Sequence, residues 1–172
     1  MTSLEITVGD ITRQADMDAI VNAANRELKP GGGVAGAIHR AAGPELARAC
    51  APLAPIRPGE AVITGGFDLP NRYVIHCLGP VYQLDQPSAR LLADCYRNAL
   101  ELAASRELAS VAFPAISTGV FGYPMEEAAR VALRTVRAVT GQRSSLQLVR
   151  FVLFDPSAGE VHRRVLDELE AG

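Results

Sequence analysis

Short apolar runs alternate with amphipathic segments along this chain. Six runs rich in Val, Ile and Phe predict β-strands: LEITV (4–8), DAIVNAA (18–24), EAVITGG (60–66), YVIHCLG (73–79), SVAFPA (110–115) and LQLVRFVLF (146–154). Apolar residues at helical spacing predict helices over 88–105, over 124–139, from near Val34 and after Ser157. Because crossover helices usually join neighbouring parallel strands, the alternation predicts an α/β domain with a largely parallel central sheet. Ligands of such sheets bind at the carboxyl ends of the strands.

Local signals mark where some of these segments begin and end. Pro124 suits the first turn of its helix, and Gly141 is placed to stop that helix. Ser157 and Glu160 have the spacing of a capping box. The proline-rich stretch at 51–59 indicates a rigid surface connection.

The composition indicates one domain. With 172 residues, 48% of them hydrophobic and 21% charged, the chain can bury a single core over residues 1–172. Its net charge is −2 and its Lys and Arg residues are scattered, so no basic stripe favours duplex nucleic acid. The chain opens without a basic and apolar leader, and no apolar run is long enough to cross a bilayer. We therefore expect a soluble, cytoplasmic protein without a membrane partner.

The cysteines and histidines predict neither a disulfide framework nor a metal site. Cys50, Cys77 and Cys95 are odd in number, far apart and without a C-x-x-C pair, so we expect small buried hydrophobes. The three histidines are equally dispersed, with no carboxylates spaced to help them hold a metal. We expect no metal and no cofactor.

A glycine-rich loop follows the second predicted strand. The segment NAANRELKPGGGVAGAIHRAAG, residues 22–43, carries three successive glycines before a small-residue helix. Glycines let main-chain N–H groups turn toward a ligand, and a helix N-terminus adds partial positive charge, which suits a phosphate. For an isolated glycine triplet, a simple tight turn is the alternative.

The same loop contains the dinucleotide-binding pattern G-x-G-x-x-G at Gly31, Gly33 and Gly36. A dinucleotide-dependent oxidoreductase is therefore an alternative. In that fold the glycines follow the strand directly, whereas here RELKP intervenes and the expected acidic residue falls in a proline-rich stretch. This context disfavours the redox hypothesis.

A second loop lies between the fifth predicted strand and the helix at Pro124. Ser117, Thr118, Gly119 and Gly122 offer hydroxyls and main-chain donors to an anion. The loop lacks the lysine of a Walker motif, so nucleoside triphosphate hydrolysis is not indicated. Phe121, in the same loop, is either a packing residue or a ring that lies against a sugar. Two such loops favour a diphosphate over a single phosphate.

In order and spacing, these motifs resemble the macrodomains, a family that binds ADP-ribose and in several branches hydrolyses ADP-ribosyl bonds. The matching segments are VGDIT (8–12), DAIVNAAN (18–25), GGGVAGAIHRAAG (31–43), YVIHCLGP (73–80), AFPAISTGVFGYP (112–124) and VLFD (152–155). The resemblance covers nearly the whole chain. It implies a three-layer α/β/α sandwich around a mixed, mostly parallel sheet, with ADP-ribose in a cleft across its top.

The resemblance also implies ligand contacts. Asp10, with the Ile11 main chain beside it, would accept a hydrogen bond from the adenine amino group, and Phe154 would flank the base. Without the resemblance, Asp10 would be a turn or N-cap residue and Phe154 plain core. Asn25 would bind the distal ribose, and the neighbouring Asn22 is expected to brace the main chain.

The diphosphate would lie between the two loops. Its expected contacts are Gly32, Gly33 and Val34 on one side and Ser117, Thr118, Gly119, Val120 and Phe121 on the other. Phe121 would also cover the distal ribose. By the same resemblance, the residues that support catalysis are Asn25, Gly33 and Phe121.

One departure from the family bears on catalysis. The hydrolase branch that this chain resembles through AIHRAAG carries an aspartate after GGGV, and here that residue is Ala35, which cannot hold or deprotonate a water. Three accounts stay open: a non-catalytic ADP-ribose reader, a hydrolase whose water is held by the diphosphate and main chain near Gly33, or one that recruits His39, on the same helix face as Ala35. We expect a metal-free hydrolase of mono-ADP-ribosyl acyl links, on proteins or in O-acetyl-ADP-ribose.

Overall fold

The structure, a computed structural model, describes residues 1–141 and 144–172. Within these residues six strands form one sheet: β1 (Ser3–Val8), β2 (Ala19–Ala23), β3 (Ala61–Gly65), β4 (Tyr73–Cys77), β5 (Ser110–Phe113) and β6 (Leu148–Leu153). The helices are α1 (Gly33–Ala42), α2 (Pro44–Cys50), α3 (Ser88–Ser105), α4 (Met125–Thr140) and α5 (Pro156–Ala171), with 3₁₀ turns at Ile11–Arg13 and Ala51–Leu53.

The sheet runs in the order β1-β6-β5-β2-β4-β3. Every pairing is parallel except that of β3 with β4, which is antiparallel. The mixed, mostly parallel sheet predicted from the sequence is confirmed.

Two apolar clusters cover the two faces of the sheet. Ile38 of α1 and Leu46 of α2 belong to one cluster, and Leu92 of α3, Leu133 of α4 and Val165 of α5 belong to the other. All five side chains are fully buried. The helices therefore form the outer layers of the predicted three-layer sandwich, and burial of these apolar side chains is its main source of stability.

Several sequence-based details need correction. Helix α2 was not predicted, and α5 begins at Pro156, with the carboxylate of Asp155 accepting a hydrogen bond from the Ala158 N–H in place of a Ser157 capping box. Pro124 precedes α4 rather than lying in its first turn. The connection at 51–59 is not purely a surface segment, since Ile56 is buried.

The three cysteines are fully buried free thiols, as expected of small hydrophobes. No helix in the described part of the chain is both long and apolar enough to cross a membrane. A single domain over residues 1–172 stays a prediction.

Candidate functional site

The predicted ligand residues lie at one edge of the sheet. Asp10 follows β1, Asn25 follows β2, Ser117 follows β5 and Phe154 follows β6. The chain leaves β2 toward α1 on one face and leaves the adjacent β5 toward α4 on the other. In α/β sheets such a reversal between neighbouring strands opens a crevice beyond their carboxyl ends, and ligands bind there. The two glycine-containing loops flank this crevice.

The first loop meets α1 with its glycines exposed. Gly32 is the N-cap of α1, and Gly33, with φ +56°, has no atom within 4 Å of where a side chain would begin. One turn on, Gly36 packs so closely that a Cβ there would overlap the Gly31 carbonyl oxygen. The glycines at this helix terminus are therefore accessible, and the first N–H groups of a helix, which lack partners within it, are the donors that a phosphate site requires.

Asn25 holds the first loop in shape. Its Nδ2 donates to the Lys29 carbonyl at 2.7 Å, and its Oδ1 accepts from the Lys29 N–H at 2.9 Å. One amide hydrogen and one lone pair remain for a ligand. The sequence predicted the ribose contact of Asn25 but not this second role in the loop.

The second loop is tightly folded. Ser117 is buried at φ +68°, its carbonyl accepts from the Tyr123 N–H at 2.9 Å, and the Gly119 carbonyl accepts from the Gly122 N–H at 3.0 Å. Gly79, after β4, lies against Ser117 so closely that a Cβ would overlap the Ser117 hydroxyl. Within the described residues that hydroxyl has no hydrogen-bond partner.

The tip of the second loop leans toward the first. Val120 is 99% exposed, whereas Phe121 is half-buried and packs on the same apolar cluster as Val34 of α1. Thr118, in the same loop, is also half-buried. The Phe121 carbonyl accepts from the Tyr82 N–H at 2.8 Å, a support from the β4–α3 segment that the sequence did not predict.

Asp10 and Phe154 lie together at the other end of the crevice. The strands that carry them pair in parallel, and the Gly9 N–H donates to the Leu153 carbonyl at 2.9 Å. The Phe154 side chain is 92% exposed, so the alternative that it belongs to the core is wrong.

The carboxylate of Asp10 is partly engaged. Its Oδ1 accepts from the Thr12 hydroxyl at 2.7 Å and from the Thr12 N–H at 2.9 Å, which makes Asp10 an N-cap as well as a candidate base contact. The hydrogen bond from the Thr12 hydroxyl is the largest cause that lowers the pKa of Asp10. The Ile11 side chain is buried in the α1-side cluster, which leaves its main chain as the part able to meet a ligand.

His39 lies on the buried side of α1, as does Ala35. Neither ring nitrogen of His39 has a hydrogen-bond partner among the residues described, and burial lowers the pKa of the ring. An enclosed, neutral imidazole is poorly suited to exchange protons with a ligand. This disfavours the account that recruits His39.

Asn22 contacts a histidine rather than the main chain that it was expected to brace. Its Nδ2 lies 3.1 Å from His76 Nδ1, and the Thr64 hydroxyl lies 3.0 Å from His76 Nε2. All three side chains are buried, so they form an internal polar cluster and not a ligand surface. In the described ranges 1–141 and 144–172, no group of three or more His, Cys, Asp or Glu side chains is arranged to hold a metal ion.

The profile of the family described as Macro domain matches residues 21–132. The O-acetyl-ADP-ribose deacetylase of Klebsiella pneumoniae (strain 342) is 52% identical over 167 residues, which are 94% of this chain and 95% of that protein. This chain belongs to the macrodomain family. A macro domain-containing protein of Lactiplantibacillus plantarum is 49% identical and aligns with 98% of this macrodomain and 99% of its own length.

Solved macrodomain structures have the same fold. The Oceanobacillus iheyensis macrodomain with ADP superposes with a TM-score of 0.95 at 46% identity, covering 99% of this macrodomain and 93% of that chain. The Trypanosoma brucei macrodomain in complex with ADP-ribose gives a TM-score of 0.88 at 40% identity, covering 94% of this macrodomain and 68% of that chain. The redox alternative is set aside, because β2 ends at Ala23, well before Gly31, whereas dinucleotide-binding glycines follow the strand directly.

Proposed function

We propose that this macrodomain binds ADP-ribose across the carboxyl edge of its sheet and hydrolyses the ester of O-acetyl-ADP-ribose. The observation that carries the proposal is the pair of exposed main-chain loops at the switch between β2 and β5, with Asp10 and Phe154 beyond them. The deacetylase name of the Klebsiella relative supports the substrate.

In the proposed complex the diphosphate lies between the loops. Main-chain N–H groups of Gly32, Gly33 and Val34 donate to one side of it, and residues 117–121 enclose the other. The distal ribose lies over Phe121, where the spare amide hydrogen of Asn25 reaches it. The adenine amino group donates to Asp10, and the base lies on the ring of Phe154.

The missing aspartate constrains the mechanism. Three variants of the Oceanobacillus iheyensis macrodomain change an asparagine, a glycine and an aspartate whose relative spacing is that of Asn25, Gly32 and Ala35 here. The aspartate-to-alanine variant retains the fold, with a TM-score of 0.92 to this chain. An alanine at this position is therefore compatible with the macrodomain fold.

Without that carboxylate, the reaction relies on positioning. A water held by a diphosphate oxygen and by main-chain groups near Gly33 adds to the ester carbonyl carbon, and the ester C–O bond breaks. The ribose oxygen takes one proton of the water and becomes a hydroxyl, acetate leaves with the water oxygen, and the second proton passes to solvent. An ester needs less help from a general base than an amide does, which makes it the favoured bond.

The proposal extends to mono-ADP-ribosyl esters on proteins and to a cytoplasmic setting. Val120 leaves the tip of the second loop open to solvent, which gives an attached acceptor chain room to leave the site. The buried free thiols suit a reducing compartment. A reader without turnover is the second candidate, and Ala35 is the observation that favours it.

Calorimetry with ADP-ribose, AMP and NAD tests the binding proposal. ADP-ribose should bind more tightly than AMP, which lacks the second phosphate and the distal ribose. Tight binding of NAD with no response to ADP-ribose would overturn the assignment.

Acetate release from O-acetyl-ADP-ribose separates the hydrolase from the reader. Asn25→Ala and Gly33→Glu should slow release, because the first loosens the loop and the ribose contact and the second fills the phosphate site. Gly65→Ala is the matched control, since a Cβ at Gly65 makes only an ordinary contact at the far end of β3. If the protein binds ADP-ribose but releases no acetate, the hydrolase proposal is overturned and the non-catalytic reader is the remaining function.

A further inference from the structure

Arg150, in β6, is the centre of a polar network that reaches the adenine end of the site. Its Nε donates to Glu5 of β1 at 2.7 Å, and Nη1 and Nη2 each donate to one oxygen of Asp16 at 2.8 Å. Nη1 also donates to Oε1 of Gln14 at 3.0 Å. The Arg150 side chain is only 14% exposed, and such fork-shaped pairs fix geometry more firmly than single contacts do.

Gln14 connects this network to Asp10. Its side chain is buried, and its Nε2 donates to the Asp10 main-chain carbonyl at 2.9 Å. From the opposite side, Nδ2 of the buried Asn71 donates to the carbonyls of Gln14 and Met17, both at 2.8 Å. The turn that presents Asp10 is thus held from β6 and from the β3–β4 connection.

The position of the main chain at Asp10 matters because only one of its carboxylate oxygens makes no hydrogen bond within the part of the protein that the structure describes. Both hydrogen bonds from Thr12 end on Oδ1, whereas Oδ2 has only the exposed Arg13 beside it, with Nε at 3.8 Å, which is too long for a hydrogen bond. Oδ2 is therefore the oxygen that can still accept a hydrogen bond from a base. A small rotation of the main chain at residue 10 would turn Oδ2 away from any fixed partner. The Gln14 hydrogen bond to the residue 10 carbonyl resists that rotation.

We propose that Gln14 and Arg150 are positioning residues for adenine recognition, which fix the main chain at Asp10 so that Oδ2 meets the amino group of the base. The inference rests on the proposed ADP-ribose function. Neither side chain touches the nucleotide, and both act through Asp10.

The test measures selectivity for the base rather than binding alone. Inosine diphosphate ribose carries a carbonyl where ADP-ribose carries the amino group, so an oxygen atom replaces the donor that the Asp10 carboxylate would meet. Calorimetry with both ligands on wild type, Asp10→Ala, Gln14→Met and Arg150→Met gives the preference for adenine in each protein. Gln14→Met and Arg150→Met should weaken ADP-ribose binding roughly tenfold and leave inosine diphosphate ribose almost unchanged.

A double variant separates positioning from general loosening. Asp10→Ala combined with Gln14→Met should bind ADP-ribose no more weakly than Asp10→Ala alone, because residues that act through one another are not additive. Arg130→Met is the matched control: it removes an arginine that pairs with Glu168 at 2.9 Å between α4 and α5, outside the network of Gln14, Asp16 and Arg150. Its adenine preference should equal that of wild type.

The outcomes distinguish the two proposals. An adenine preference that survives Gln14→Met but is lost in Asp10→Ala overturns the positioning role and leaves the proposed function intact. Equal weakening toward both nucleotides also overturns it, since that is what a merely structural role predicts. A wild-type protein that binds neither nucleotide overturns the proposed function and this inference with it. If Arg150→Met does not fold, the adenine preference of Gln14→Met tests the positioning role on its own.

Discussion

Gly36, in the first turns of α1, lies directly against the main chain of Gly31, so that a Cβ at position 36 would overlap the Gly31 carbonyl oxygen. Alanine in a helix interior is otherwise favoured over glycine by about 1 kcal/mol. Propensity alone therefore predicts that Gly36→Ala stabilises the protein. The contact predicts instead that the loop is pushed away from the helix and the phosphate site is distorted.

We expect Gly36→Ala to weaken ADP-ribose binding roughly tenfold, while the free energy of unfolding changes far less than the binding free energy does. Calorimetry and urea unfolding measure the two quantities. Gly65→Ala, in ordinary contact with its neighbours, should change neither. Unaltered affinity in Gly36→Ala would show that the loop geometry is not what holds the diphosphate.

Phe154→Ala should weaken binding without weakening the fold. The ring is 92% exposed, so removing it costs little packing, and the free energy of unfolding should stay within about 0.5 kcal/mol of wild type. Stacking of a base on an aromatic ring is worth roughly 1–3 kcal/mol, which predicts about a tenfold or greater loss of ADP-ribose affinity. Phe67→Ala is the control: it removes another exposed ring, between β3 and β4, and should leave the affinity for ADP-ribose unchanged. Equal affinities for Phe154→Ala and wild type would remove Phe154 from the site.

Ala35→Asp should accelerate the hydrolysis of O-acetyl-ADP-ribose. It introduces a carboxylate at the position where the resemblance predicts water activation, and a positioned general base typically contributes about a hundredfold or more. Ala35 is only 6% exposed, so the buried charge should also lower the melting temperature. Ala35→Asn has the same shape but no base and should leave the rate near wild type. Equal rates for the two variants would contradict a general-base role at this position.

The protein should lose stability as the pH falls below about 6.5. Burial, with a smaller contribution from His39, lowers the pKa of His76 from 6.5 to about 3, and burial lowers the pKa of His39 and His162 as well. The unfolded chain therefore binds protons that the folded chain rejects. Stability is fully present above pH 6.5 and declines through the window down to the folded pKa of each histidine.

For His76 this loss is roughly 2 kcal/mol between about pH 6.5 and 5. Urea unfolding at a series of pH values measures it, and the ring resonances of His76 report its protonation directly. A free energy of unfolding that is flat across this window, or a His76 ring that titrates near 6.5 in the folded protein, would contradict the prediction.

The regular elements followed from the sequence where their signals were local. Helix α3 was predicted with its observed bounds, because its apolar spacing runs without interruption from Ser88 to Ser105. Helix α2 was missed, because a helix of seven residues is too short to show a clear apolar period; Gly43 caps α1, and Pro44 occupies the first turn of this new helix. The α5 cap was assigned to Ser157 because Ser157 and Glu160 have the spacing of a capping box, whereas the cap is Asp155.

In the candidate site, too, the features with local sequence signals were predicted and those without such signals were missed. The two loops could be predicted, because glycines, hydroxyls and helix starts are neighbours in the sequence. The contacts that hold the turn at Asp10 could not be predicted: Arg150 and Gln14 are 136 residues apart, and nothing local indicates that they meet. Asn25 shows the same limit, since its hydrogen bonds to Lys29 depend on how the loop folds back.

The pairing of β1 with β6 constrains the order in which the chain can fold as it is synthesised. Phe154 is synthesised about 140 residues after Asp10, and in the described chain β1 pairs with β6 alone. Until β6 is made, β1 has no strand to pair with in the described part of the chain, and Asp10 and Phe154 cannot come together. The proposed adenine contacts therefore depend on a pairing between distant segments of the chain, a kind of contact that forms slowly.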